Sequence, residues 1–193
     1  MLLKAEMVPL AVSAHAKFHE SVYFFNRMIE TRANVRLFPH HLSAFLSALR
    51  SVTFYLQAQF GRDAAFAEWY GKKQEAMRGN PLLRMLKEFR DEELHARPVA
   101  LKFLQSPKLP REGILTDHVE LTTTTTDESG EIKMWIKVGK EGADEEVAPE
   151  VRWVVDMPEE VDVLESCEDG LRHIDALLRE WDERSKAPAK PPV

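Results

Sequence analysis

Residues 40–61 read HHLSAFLSALRSVTFYLQAQFG, and the spacing of their apolar positions decides the fold class. Leu42, Phe45, Leu46, Leu49, Val52, Leu56 and Phe60 recur at steps of three and four, which places them on one face of an α-helix. Pro39, which lacks an N–H, suits the helix entrance, and Gly61 ends it. An apolar face this continuous has to be covered by other elements. Upstream, residues 10–33 offer a second amphipathic helix whose stripe is Ala11, His15, Phe18, Val22, Phe25 and Ile29. Downstream, Asp63 is an N-cap for a third helix carrying Phe66, Trp69, Tyr70 and Met77. Asn80 and Pro81 then open a fourth, through Leu82, Leu86 and Phe89 to about His95, where the approach to Pro98 stops it.

The pattern changes after Pro107 and Pro110. Residues 114–125, ILTDHVELTTTT, are rich in β-branched types. Residues 127–130, DESG, signal a turn, and 131–139, EIKMWIKVG, alternate apolar and polar positions, so the two runs predict a hairpin. An acidic loop precedes a third strand at Val151–Val155. Asp156 to Glu160 read as the acidic first turn of a last helix, with a seam of Leu164, Cys167, Leu171, Ile174, Leu178 and Trp181. The expectation is an α+β protein: a mainly helical bundle of about five helices, with a three-stranded antiparallel sheet inserted before the last helix. Residues 1–185 would form one domain, made of a bundle at 10–105, a β insert at 113–156 and a returning helix at 159–184, with a disordered tail at 186–193.

Composition bounds the function classes. Of 193 residues, 44% are hydrophobic and 30% charged, enough to build a core and too apolar for wholesale disorder. No apolar run reaches the ~18–20 residues of a membrane span, and no secretory signal is evident, so a cytoplasmic protein is expected. One cysteine, Cys167, excludes a disulfide framework and a cysteine-rich zinc site, and its place in the seam predicts burial. The net charge of −6 is unevenly distributed. Residues 1–112 hold 17 Lys and Arg against 11 Asp and Glu, while residues 113–193 hold 9 against 21. A mildly basic half is compatible with a polyanion; the same asymmetry also lets the two halves attract each other.

The sharpest chemical pattern is Arg90-Asp91-Glu92-Glu93-Leu94-His95 at the end of the fourth helix. Arg90 shares a side of that helix with Leu83, Leu86 and Leu94, and a guanidinium beside an apolar stripe must be paired or face an anion. An Arg and a protonatable His are the minimum set for metal-free cleavage of an RNA phosphodiester. The His moves a proton and the Arg stabilises charge on the phosphorane-like transition state. The pattern Arg-x(4–6)-His also occurs at Arg36–His41 and Arg111–His118, and chance alone supplies about 1.5 matches. Only the middle one lies on a helix beside an apolar stripe. Five residues turn a helix by ~500°, so positions 90 and 95 diverge by about 140° unless the last turn unwinds or a two-fold dimer joins two copies.

A helical bundle with Arg-Asp and a following His late in the bundle resembles the HEPN (higher-eukaryote and prokaryote nucleotide-binding) family. The resemblance covers about residues 10–105 and 159–184, leaving the sheet as an insertion. It implies a metal-independent endoribonuclease without cofactors, acting as a homodimer on RNA, in a toxin or phage-defence system with an antitoxin-like protein partner. Arg90, His95 and Asp91 would be its catalytic residues, and Arg97 would bind substrate. Members also include inactive scaffolds, which matches a second reading, a non-catalytic interaction or dimerisation module. A third reading is a metal-binding bundle. His15 and His19 lie at i,i+4, the spacing of two ligands on one helical face, with His40, His41 or His95 as a third. Glu92 and His95 have the di-iron bundle spacing without a second copy of the motif. Trp135 between Lys133 and Lys137 could stack a base or simply cover a neighbouring strand. No glycine-rich phosphate loop occurs.

Overall fold

The computed structural model describes residues 13–95, 99–107, 118–121, 125–126, 128–130, 132–133, 136–139, 145–147, 149–156 and 160–186. Five helices, α1 (Ala14–Glu30), α2 (Leu37–Phe60), α3 (Ala64–Gly79), α4 (Pro81–His95) and α5 (Val163–Lys186), make up most of it. Between α4 and α5 run β1 (Leu101–Pro107), β2 (His118–Leu121), β3 (Thr125–Thr126), β4 (Ile132–Lys133), β5 (Ile136–Gly139), β6 (Glu145–Val147), β7 (Pro149–Asp156) and β8 (Glu160–Asp162). The expected α+β architecture is therefore present, a helical bundle with a three-stranded antiparallel sheet before the last helix. That sheet has the order β1-β7-β8. A second antiparallel sheet, β2-β5-β6, and a short ladder, β3-β4, form a hairpin arm beyond it.

The caps explain why the helices begin where they do. The Asp63 carboxylate accepts from the N–H groups of Ala65 and Phe66 at 2.8 and 3.2 Å. Asn80 does the same for Leu82 and Leu83, with Pro81 at the first helical position. Helix α2 starts at Leu37 rather than after Pro39, because the Asn34 side-chain oxygen accepts from the N–H groups of Arg36 and Leu37, 3.0 Å each. Pro39 is tolerated inside that first turn, where no intrahelical donor is needed.

Two readings of face and boundary are corrected. In α1 the buried positions are Ala14, Ser21 and Met28, with Phe18 and Phe25 packed beside them, so the core-facing stripe sits one position before the expected one. His15 and Ile29 consequently lie on the exposed side. The Ser21 hydroxyl explains why a polar residue can sit inward: it donates to the Phe18 carbonyl at 2.7 Å. The last helix does not open at Asp156. Residues 160–162 pair with β7 instead, Val161 opposite Val155, and the helix starts at Val163, where the Asp162 carboxylate accepts from the Glu165 N–H at 3.1 Å. The first strand of the main sheet, β1, falls in what reads as the end of the bundle and a linker.

The β1-β7-β8 sheet lies on the bundle through one face. Phe103 faces Trp153 and Leu101 faces Val155 across the ladder. Trp153 and Val155 are buried in the same core as α1, α2 and α5. The indole N–H of Trp153 reaches the Arg32 carbonyl at 2.8 Å. At the other end of the molecule Phe66, Trp69 and Trp181 pack ring against ring, with Trp69 and Trp181 centroids 5.2 Å apart.

The turn of the hairpin arm docks on the corner between α1 and α2. The Val35 N–H donates to the Gly130 carbonyl at 3.0 Å, and the Asn34 amide to the Ser129 carbonyl at 3.2 Å. The Arg36 guanidinium reaches the Glu128 carbonyl at 2.6 Å. Gly130 has φ +85°, and a Cβ there would meet the Arg36 side chain at 2.7 Å, so both backbone and space call for glycine.

Candidate functional site

Helix α4 buries Leu86 and Phe89 against α2 and α5, which sets the position of Arg90 on the next turn. Arg90 is three-quarters buried and donates through Nη1 to Asp91 Oδ1 at 3.0 Å. Its Nε is shut off from solvent without a hydrogen-bond partner among the described residues. Asp91 is shared, since its second oxygen accepts from Lys87 Nζ at 2.7 Å. Lys87 first, then Arg90, hold the Asp91 carboxyl below the usual aspartate range. Glu93 accepts the backbone N–H of Val99 at 2.9 Å, tying the end of α4 to the start of β1.

The backbone of α4 stays helical through His95, so the unwinding that would bring positions 90 and 95 together within one chain does not occur. The helical rotation between them remains about 140°. The His95 side chain and all of Arg97 lie outside the described residues, as do Arg111, Met134, Trp135 and the tail from 187 on. Of the four expected site residues, the structure joins Arg90 and Asp91.

A feature that motif reading missed lies beside this pair. Where α2, α3 and α4 meet above α5 there is a cleft of about 530 Å³. Its floor is apolar: Leu46, Leu49, Leu86 and Ile174. One wall is polar, made of Thr53, Tyr70 and Gln74, and the rim carries Arg50, Arg78, Arg84 and Lys87 against the single carboxylate of Glu88. Burial pushes the Tyr70 phenol up, with the hydrogen bond to Thr53 pulling the other way. Arg50 is held by a bond from Nη1 to the Thr53 hydroxyl at 3.1 Å and by the Phe54 ring, 4.4 Å from its guanidinium carbon. Lys87 belongs both to this rim and to the Asp91–Arg90 pair, so the two features are contiguous. A signal existed in the sequence. Arg50 and Thr53 each follow a stripe leucine, Leu46 and Leu49, by four residues, which puts both beside the buried face of α2.

The other candidates stand apart. His15 is exposed and its Nε2 lies 3.0 Å from Asp182, while His19 is also exposed. No group of three His, Cys, Asp or Glu that could hold a metal ion occurs among the described residues. Burial, with Arg27 nearby, lowers His41 from the ordinary histidine value. Arg36 is engaged with the hairpin turn rather than with His41. Cys167 is fully buried, and desolvation pushes its thiol far up, which removes it as a nucleophile at neutral pH. No helix among the described residues is long and apolar enough to cross a membrane.

Residues 5–94 are similar to a protein family described as bacteriophage lambda protein ea47. The likeness takes in α1 to α3 and nearly all of α4, Arg90 and Asp91 included, and stops one residue before His95 and ahead of every strand. No curated protein and no solved structure matches the chain.

Proposed function

We propose that this chain is a HEPN-like, metal-independent endoribonuclease that works as a homodimer. The observation that carries the reading is the Arg90–Asp91 pair at 3.0 Å, a guanidinium positioned by a neighbouring carboxylate with about a quarter of its side chain open to solvent. A guanidinium partly open to solvent and held in place presents donors that suit a phosphoryl oxygen, the acceptor that RNA brings. The cationic rim of the adjoining cleft supports the same substrate class. Because α4 does not unwind, the imidazole that works with Arg90 comes from His95 of a second copy across a two-fold axis.

In the reaction, one His95 imidazole takes the proton of the ribose 2′-hydroxyl, and that oxygen attacks phosphorus. A 2′,3′-cyclic phosphate forms as the bond to the 5′-oxygen breaks, and the second imidazole of the dimer, protonated, gives the leaving oxygen its proton. Arg90 stabilises the charge that builds on the non-bridging oxygens. Asp91 orients Arg90, and Arg97 holds the RNA backbone. The likeness of the helical part to a bacteriophage protein family supports a connection with phage, while the toxin or defence role rests on the resemblance to HEPN proteins.

The test is cleavage of total RNA by the purified protein with chelator present. The reading expects cleavage that falls about 10²–10⁴-fold in Arg90→Ala and in His95→Ala, with both variants keeping the wild-type melting temperature within a few degrees. No cleavage by the wild type, or undiminished cleavage by both variants, overturns it. A second reading, a non-catalytic dimerisation module, is favoured by the closed Lys87–Asp91–Arg90 cluster, which is also an ordinary way to neutralise charge at a helix end. It expects a dimer in solution with no cleavage.

A further inference from the structure

The geometry points to a ligand site in the α2–α3–α4 cleft: we propose that it binds a small organic phosphate, a ring-sized apolar body with a phosphate group. The volume, about 530 Å³, falls within the range of small-molecule sites. Leu49, Leu86 and Ile174 give the body an apolar bed, and the phosphate goes to Arg50 and Arg78.

The two guanidiniums carry the argument. Elsewhere Arg27, Arg152, Arg172, Arg179 and Arg184 each pair with a carboxylate, while Arg32, Arg36 and Arg62, none of which lines the cleft, make no ion pair among the described residues. The chain has 32 acidic residues against 26 basic ones, so acids are not scarce. Yet neither Arg50 nor Arg78 makes an ion pair among the described residues, and both line the same cleft. Arg50 is also fixed in place, donating to Thr53 and stacked over Phe54, so little side-chain freedom is left to lose on binding. A guanidinium presents a planar fork of donors that matches a phosphate, and two of them beside one cleft suit a dianion better than a single carboxylate. Inorganic phosphate alone would leave the leucine bed unused, and a flat membrane or protein surface would not reach down into a cleft of this size. Tyr70 and Gln74 on the wall offer hydroxyl and amide groups to polar atoms of the body.

The proposal does not rest on RNA cleavage, and its experiment keeps the two apart. Isothermal titration of the full chain is run with adenosine monophosphate, phenyl phosphate, inorganic phosphate and adenosine. At least one organic phosphate is expected to bind saturably, tenfold or more tighter than both inorganic phosphate and adenosine. Arg78→Ala, at an exposed position that does not endanger folding, and Arg50→Gln are each expected to weaken that binding tenfold or more. Lys72→Ala, which pairs with Glu68 away from the cleft, and Arg90→Ala leave it unchanged. No saturable binding of either organic phosphate, inorganic phosphate binding as tightly, or binding unaffected by both Arg50→Gln and Arg78→Ala would overturn it. Loss of binding in Arg90→Ala would do so too, because the ligand would then belong to the Arg90 site.

Discussion

Phe38 and Trp153 lie ring on ring, with centroids 4.6 Å apart and planes 3° from parallel. One ring comes from the first turn of α2 and the other from the middle of β7, so this stack fastens the sheet to the bundle. Phe103 closes the other side edge-on at 5.0 Å, and the Trp153 N–H is spent on the Arg32 carbonyl. Trp153→Ala is expected to cost about 3–5 kcal/mol, as for large aromatic truncations in a core. Trp153→Phe, which keeps a ring but strands the carbonyl, is expected to cost about 1–3 kcal/mol. Urea unfolding followed by far-ultraviolet circular dichroism measures both. A cost below the level of an ordinary surface substitution for Trp153→Ala would detach the sheet from the core.

Gly130→Ala tests the docking of the hairpin turn. The positive φ penalises any side chain, and the new Cβ would press on Arg36. A loss of about 1–3 kcal/mol is expected, together with faster amide exchange at Val35, whose N–H is bonded to the Gly130 carbonyl. Unchanged exchange at Val35 would mean that the turn does not rest there.

Acid lability should depend on Glu180. Its carboxyl is held below the ordinary glutamate value by Lys73 first and then by the Trp69 N–H. A depressed folded-state pKa gives stability that is present above the unfolded value, near pH 4.5, and lost as pH falls through the folded value. Glu180→Gln keeps an acceptor for Trp69 and removes the charge. Its stability is therefore expected to depend less on pH below about 4.5, while at neutral pH it falls by under about 1 kcal/mol, since the pair is partly exposed. Thermal melts of both proteins between pH 3 and 7 measure this, and identical acid limbs would contradict it.

Cys167 should be silent until the protein opens. It is fully buried on α5 and its thiol is pushed far above the ordinary value. A thiol reagent at pH 8 is expected to react only at the rate of opening and completely in denaturant. Rapid stoichiometric reaction with the folded protein would contradict this burial.

The elements legible in the sequence were those whose signals are local. Asp63, Asn80 and Pro81 start α3 and α4 as their side-chain chemistry dictates, and the α2 stripe is the one that is buried. Elements decided by distant partners were not legible. Asn34 caps α2 while holding a turn nearly a hundred residues away, and Val161 joins a strand because Val155 is there to pair with it. The one-position shift of the α1 face has the same origin, since the small Ala14 and Ser21 mark where α1 approaches its neighbours and a hydrophobicity pattern weights such residues lightly. At the site, Arg90 and Asp91 could be found because they are adjacent in sequence. Of the Arg50–Arg78 cleft only the placing of Arg50 and Thr53 beside the α2 stripe was legible, because the cleft itself exists only where three helices meet.

The proposed role of Arg90 is RNA cleavage through the 2′-hydroxyl without metal. The most direct measurement uses a short RNA that the protein cuts at one position, alongside the same RNA with a single 2′-deoxy nucleotide there, both with chelator. Cleavage of the first that leaves a 2′,3′-cyclic phosphate, abolished by the 2′-deoxy substitution and by Arg90→Ala, is the predicted result. Equal cleavage of both RNAs, or cleavage that Arg90→Ala leaves intact, would contradict it.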